Sequence, residues 1–305
     1  MNQNNKELID CVEITMSQLT DDRLEPGLYI VSTPIGNLGD ITLRALSVLH
    51  QADVIYCEDT RHSRKLFSKF GIKRPLKNYH EHNAVRERPI ILDRITKGGR
   101  VVLISDAGTP LISDPGFKLV REVRDAGLHL TAVPGPTSPV CALPVSGLPT
   151  DRFYFEGFLP AKATQRRSRL QAVDDINVTM VFLESAKRLN GMLADTIDIL
   201  GDRSCVVARE LTKKFEEVWT GKLSDLITRA EQQKPRGEFV ILVAGKDTAS
   251  PDRQSIENIL SEAMLESGLS RAAKDIADAY GIKRKIIYDI GLELKRKDQD
   301  HSQGD

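Results

Sequence analysis

Cysteine is scarce and scattered in this sequence. Cys11, Cys57, Cys141 and Cys205 lie far apart, with no C-x-x-C and no nearby histidine pair. Neither a disulfide framework nor a zinc site is suggested, no metal is expected, and the chain reads as cytoplasmic. No apolar run approaches the length needed to span a bilayer, so no membrane role is expected. Residues 1–25 lack the charged and apolar regions of a secretory signal and read as a polar extension with a short helix around Leu8 to Met16. An excess of charge is missing too, because 43 Lys and Arg balance 43 Asp and Glu. A protein gripping naked nucleic acid mainly by counterion release would be more basic, so any RNA would be recognised through local patches and shape.

Several standard catalytic motifs are also absent. There is no G-x-x-x-x-G-K-[ST], and no G-x-G-x-x-G opens a helix after a strand. No G-x-S-x-G elbow and no H-E-x-x-H occur. What the chain does have is 305 residues of ordinary composition, 40% hydrophobic and 28% charged, about two domains by size.

Its organising stretch is RVVLISDAGTPLISDPGF, Arg100 to Phe117. Four apolar residues run into a Gly/Asp/Pro loop and then into a helix-period segment, the pattern of a buried strand meeting a crossover. Ligands bind at the carboxyl ends of such strands in open α/β sheets. Asp106 would sit there with its carboxylate and the loop amides within reach of a ligand. The plainer reading makes Asp106 and Asp114 helix caps.

The same pattern recurs at Leu28–Val31 before TPIGN, at Val54–Cys57 before EDTRH, and at Leu130–Val133 before PGPTS. Helix-period segments separate these strands, which predicts a mainly parallel sheet with its loops gathered along one edge. A boundary is expected near Gly157-Phe158-Leu159-Pro160, giving an α/β lobe over 26–156 and a second α/β lobe over 157–246. Gly245 to Pro251 reads as a linker. Beyond it, 252–297 reads as a helical unit with two helices around Gly281, helix-turn-helix-like. The crevice loops carry no lysine and one arginine, Arg61, which argues against a nucleotide polyphosphate. Their carboxylate, hydroxyls (Thr109, Thr137, Ser138) and free backbone groups suit a ligand with a ribose diol, an ammonium and a sulfonium. S-adenosylmethionine fits, as would other polar metabolites.

Eight segments in register, VSTPIGNLGDITLRAL, CEDTRHSRKLF, LISDAGTPLISDPG, PGPTSPVCAL, GLPTDRFYFEGFLPAK, FLESAKRL, ARELTKKFEEVWTG and RGEFVILV, closely resemble the ribosomal RNA small subunit methyltransferase I family. That family is a branch of the tetrapyrrole-methylase-like (class III) methyltransferases. The resemblance covers about Leu28 to Ala244 and departs mildly at Ser32 and at Pro235-Arg236. It implies a two-lobed tetrapyrrole-methylase-like α/β fold, mainly parallel in the first lobe and mixed in the second, with a small C-terminal helical unit. It also implies S-adenosylmethionine-dependent 2'-O-methylation of a cytidine in the decoding centre of 16S rRNA, within the small ribosomal subunit, by a homodimer. By motif, the cofactor contacts would be Pro34, Ser105, Asp106, Thr109, Thr137, Ser138, Leu183 and Glu184. Turn-shaping is the alternative for Pro34 and Thr109, and a cap role is compatible with binding for Thr137 and Ser138.

Chemistry is expected around Asn37, Glu58 and Arg61. Methyl transfer to a hydroxyl needs alignment and a proton acceptor, and Glu58, Asp59, His82, Glu184 and Glu210 are the candidates. The run Glu58-Asp59-Thr60-Arg61 reads equally as a structural ion pair. Arg61 and Arg209 could neutralise phosphates. Local basic patches are Lys162, Gln165-Arg166-Arg167-Ser168-Arg169, Lys213-Lys214 and Lys283-Arg284-Lys285, each of which is ordinarily a solvated surface. The rival readings are a tetrapyrrole methylase and a non-catalytic ribosome-associated factor of the same fold.

Overall fold

The computed structural model describes residues 3–234, 236–246 and 253–301. It divides into a unit Met1–Gly245 and a unit Lys246–Asp305; of the linker expected over Gly245 to Pro251, residues 247–251 lie outside the described residues. The N-terminal segment forms α1, Gln3–Asp21, longer than the helix expected there. Its end is tied down where Ser47 Oγ and Gln51 Nε2 both donate to the Leu19 carbonyl.

The apolar runs become parallel strands β1 (Gly27–Val31), β2 (Val54–Cys57), β3 (Leu76–Asn78), β4 (Arg100–Leu103) and β5 (Leu130–Val133), in spatial order β3-β2-β4-β1-β5. Their side chains alternate between two cores, as a strand's period of two requires. Tyr29, Val31, Ile55, Cys57 and Val102 face helices α2 (Leu43–Gln51) and α3 (Thr60–Lys69). Leu28, Ile30, Val54, Tyr56 and Val101 face α4 (Ala84–Thr96) and α5 (Phe117–Asp125). Both faces being covered explains why these strands are continuously apolar. The edge strand β3 has no apolar run, and its short, polar sequence gave no strand signal.

The chain leaves the first sheet through α6, Ser138–Ser146, and enters the second through β6, Phe153–Phe158, which pairs with β7, Thr179–Ser185. The boundary expected after residue 156 therefore runs through β6. Helix α7 (Ala163–Ala172) joins β6 to β7, and α8 (Leu189–Leu200), β8 (Ser204–Arg209), β9 (Glu217–Lys222), α9 (Leu223–Gln233) and β10 (Glu238–Val243) follow in that order. The sheet order is β6-β7-β10-β8-β9; β6 and β7 are parallel and the other pairs antiparallel. This is the mixed sheet expected of the second lobe. Helices α7, α8 and α9 bury one face around Trp219, Phe182 and Met192. The other face is covered by α6, whose Ala142 and Leu143 pack on Val181, Val206, Ala208, Val240 and Leu242.

The second unit holds α10 (Arg253–Ser267), α11 (Leu269–Tyr280) and α12 (Arg284–His301) around Leu260, Ala273 and Ile287. Gly281, at φ 65, makes the left-handed cap between α11 and α12. Among the described residues no helix is long and apolar enough to cross a membrane.

Candidate active site

At the carboxyl edge of the first sheet, the loops after β1 and β4 are stitched to one another. Thr33 and Gly108 exchange both backbone hydrogen bonds at 2.9 Å. Ser32 and Thr109 hydroxyls meet at 2.9 Å, and Thr109 Oγ1 donates to the Pro136 carbonyl in the loop after β5. Buried Ser105 donates to the carbonyls of Ala107 and Gly108. Ser105 and Thr109 thus hold the loop's shape. The loop after β8 closes on them from the second sheet. A Cβ on Gly36 would lie 2.4 Å from Lys213 Cγ and 2.8 Å from Thr212 Oγ1, so only glycine permits this approach.

Two cavities of about 340 Å³ each result. Asp106, Thr109, Thr137, Ser138, Leu183 and Glu184 all line the first, together with Asp114, Glu210 and Phe239. Pro34 and Ser105 instead line the second, which also has His62, Lys65 and Lys69 on its wall. Asp106 and Lys213 border both. The expected cofactor residues therefore fall on two cavities that share a wall, rather than in one. Among the described residues, four of the five non-glycine residues with positive φ stand in these loops: Leu111, Ser113, Glu210 and Thr212. Such strain, costing about 1–3 kcal/mol each, persists where surrounding structure fixes it and concentrates at functional sites.

Electrostatically the site is acidic at its centre. One Asp106 oxygen accepts from the Asp59 amide at 3.0 Å, so this carboxylate is anchored rather than wholly free. Burial, then the charges of Glu58 and Asp106, push the half-buried Asp114 carboxyl up to about 6, against the pull of the Ser105 hydroxyl. Glu58 is raised as well, by burial and then by the Asp106 charge, although much of its side chain is exposed. Three carboxylates that repel one another make a place for a cation. In the sequence Asp114 had only a cap as its plainer reading beside the ligand-binding loop; its position in an irregular loop gave no sign of this environment.

The residues expected to act in chemistry separate clearly. Asn37 Oδ1 accepts from the Gly39 amide and caps the short 3₁₀ turn Leu38–Asp40. Arg61 pairs with Asp59 at 2.7 Å, and that pairing pulls the Asp59 carboxyl down to about 2. Glu184 pairs with Arg188 at 3.1 Å, and Glu210 with Lys213 at 2.9 Å. Of the carboxylates considered as proton acceptors, Glu58 is the one without an ion pair among the described residues. Asn37, Glu58 and Arg61 line neither cavity. Arg209 is held by Glu217 at 3.2 Å, so neither it nor Arg61 is left over for phosphate.

Comparison with known proteins decides the family. Residues 27–227 match the family model described as tetrapyrrole (corrin/porphyrin) methylases. The chain is 45% identical to the ribosomal RNA small subunit methyltransferase I of Mesorhizobium japonicum, over 89% of this chain and 93% of that protein. It is 48% identical to the one from Xylella fastidiosa, over 86% and 98%. The chain belongs to the ribosomal RNA small subunit methyltransferase I family. Within that family of methyltransferases, the two loop-built cavities are the natural candidates for donor and acceptor. Solved structures share the fold: a cobalt precorrin-4 methyltransferase of cobalamin biosynthesis has a TM-score of 0.55 at 21% identity, covering 71% of this chain and 94% of that one. A diphthine synthase also has a TM-score of 0.55, at 15% identity over 72% and 89%.

Proposed function

We propose that this protein transfers a methyl group from S-adenosylmethionine to the 2'-hydroxyl of a cytidine in the decoding centre of 16S rRNA, on the small ribosomal subunit. The observation that carries the donor half is the acidic cavity. Asp106 and Asp114 line it and Glu58 stands near, with apolar Ile35, Leu183 and Phe239 as walls. These residues fit S-adenosylmethionine, whose ammonium and sulfonium relieve the carboxylate repulsion while the apolar walls receive its adenine. When bound, it supplies an electrophilic methyl group. Thr137 and Ser138, at the start of α6, offer hydroxyls and backbone amides to the ligand's polar groups.

The acceptor half rests on the names of relatives 41–48% identical to this chain and on the second cavity, which meets the first at Asp106. A ribose entering beside Pro34 and Ser105 comes up to that shared wall. The stitched loops then supply orientation, which accounts for much of the acceleration in such transfers. Glu58 is the proton acceptor we assign, since it stands beside Asp106 at the shared wall and is the one candidate carboxylate with no ion pair among the described residues. Asn37 acts by fixing the first loop, and Arg61 by holding Asp59, whose amide anchors Asp106. The same reading has the enzyme act in the cytoplasm as a homodimer, supported by large apolar side chains left on the surface of the first unit, Phe117 and Val140 among them.

The test supplies labelled S-adenosylmethionine with small subunits, naked 16S rRNA or uroporphyrinogen, followed by nucleoside analysis. Label in 2'-O-methylcytidine is expected. Label on the porphyrin, or on a base, would overturn the reading; tight cofactor binding without transfer would favour a non-catalytic factor.

A further inference from the structure

In a chain whose charges balance, the segment from Thr60 to Tyr79 contains Arg61, Arg64, Lys65, Lys69, Lys73, Arg74 and Lys77 together with His62, and no aspartate or glutamate. All of these basic side chains are exposed. They occupy α3 and the run into β3, the outer strand of the first sheet.

Arg166, Arg167, Arg169 and Lys213, the core of the clusters that stand out by sequence, are neutralised in the folded protein. Arg166 and Arg167 both pair with Asp195, Arg167 also with Asp198, and Arg169 with Glu156. Lys213 lies between Glu210 and Glu238 at 2.9 Å from each; Arg284 donates to the Ser270 hydroxyl, which leaves its charge in place. Among the described residues, Arg61 is the one basic side chain on α3 and β3 with a carboxylate partner. The helix moreover stacks Arg61, Lys65 and Lys69 at successive i, i+4 positions, a like-charge row that disfavours an isolated helix. A lysine on an edge strand guards against sheet-to-sheet pairing, which accounts for Lys77; it does not account for the helix.

Helix α3 also stands between two recesses. Lys65 and Lys69 line the cavity that reaches Asp106. On the helix's other side, Arg64 and Lys77 border a second recess of about 560 Å³. We propose that α3 and β3 form the docking face for the RNA backbone, with phosphates held on both sides of the helix while a nucleotide enters the cavity at Asp106. Unpaired, exposed cations of this density complement a polyanion, and phosphate contacts of this kind position a substrate without reading its sequence. The inference rests on rRNA being the substrate.

The experiment compares the full-length triple variant Arg64→Gln, Lys69→Gln, Lys77→Gln with a control triple, Lys214→Gln, Lys283→Gln, Lys285→Gln, which changes net charge equally elsewhere. Binding to small subunits and to naked 16S rRNA is followed across a salt series, with S-adenosylmethionine affinity and thermal midpoint measured alongside. The α3–β3 variant should lose on the order of 100-fold in rRNA affinity near 0.1 M salt, with the salt slope shallower by about 2–3, since each phosphate contact contributes roughly 0.7–0.9. Its cofactor affinity should not move, and the control should lose far less. Equal losses in both triples would overturn the proposal. So would a loss for the subunit alone, which would mean that the face meets a ribosomal protein. The single variant Lys65→Gln, expected to lower the slope by about 1, repeats the test if the triple fails to fold. Failure of the unmodified enzyme to bind or methylate any rRNA would instead overturn the functional reading beneath it.

Discussion

Consider the substitution Asp114→Asn. The carboxyl of Asp114 is pushed from 3.8 to about 6 by burial and by the charges of Glu58 and Asp106. A group whose folded-state pKa lies above its unfolded value favours folding while protonated in both states; that advantage drains away as pH rises from the unfolded to the folded value. Two pKa units correspond to about 3 kcal/mol, and solvent reaching a half-buried carboxyl reduces this to about 1–2 kcal/mol. Asparagine keeps the shape but cannot ionise. The variant should therefore be more stable by about 1–2 kcal/mol near pH 7.5, and by roughly a third of that near pH 4.5, where the native carboxyl is still largely protonated. Urea unfolding at both pH values checks this, the midpoint moving while the m-value stays fixed. No gain near neutral pH, or a gain as large in acid, would refute the acidic cluster as described.

The same cluster predicts that S-adenosylmethionine affinity rises as pH climbs through about 6 and then levels, because an ionised Asp114 favours a cation; calorimetric titration of Asp114→Asn should show the rise flattened. Asp106→Asn, which still accepts from the Asp59 amide, should weaken cofactor binding by roughly tenfold or more with stability nearly unchanged, as read by equilibrium dialysis and thermal melting. Gly36→Ala forces a methyl to within 2.4 Å of Lys213 Cγ, so we expect a loss of about 1–3 kcal/mol in unfolding free energy and a raised KM for both substrates. Asp195→Ala strands Arg166, almost wholly enclosed, and should cost about 3 kcal/mol in chemical unfolding, against little for Asp198→Ala on the exposed side of the same network.

The parallel sheet was legible because three of its strands, β1, β2 and β4, are buried on both faces and so read as apolar runs, each stopped by a polar or Gly/Pro loop. β3 was not, since an edge strand of Leu76, Lys77 and Asn78 buries too little to mark itself. The dual role of α6 was hidden because Pro139 and Pro144 and apolar residues all round its axis give no single face. Loop membership of Asp106 and Thr109, and the place of Thr137 and Ser138 where the loop after β5 meets a helix, followed from chain order alone. Which groups end up charged, paired or crowded did not: the partners of Arg166 and Arg169 lie 29 and 13 residues away. A basic run therefore looks the same in sequence whether the fold neutralises it, as on α7, or leaves it bare, as on α3.

Helix α6 has a consequence for synthesis. It completes at Ser146, yet the strands it covers are not all made until Val243, about a hundred residues later. At roughly 5–20 residues per second, a ribosome leaves Ala142 and Leu143 without their sheet for about 5–20 s. The first sheet can close during that interval with an unfinished apolar ridge hanging from it. Chaperone demand should therefore peak in the middle of translation, and a ribosome stalled between these points should display a nascent chain that binds hydrophobic dyes.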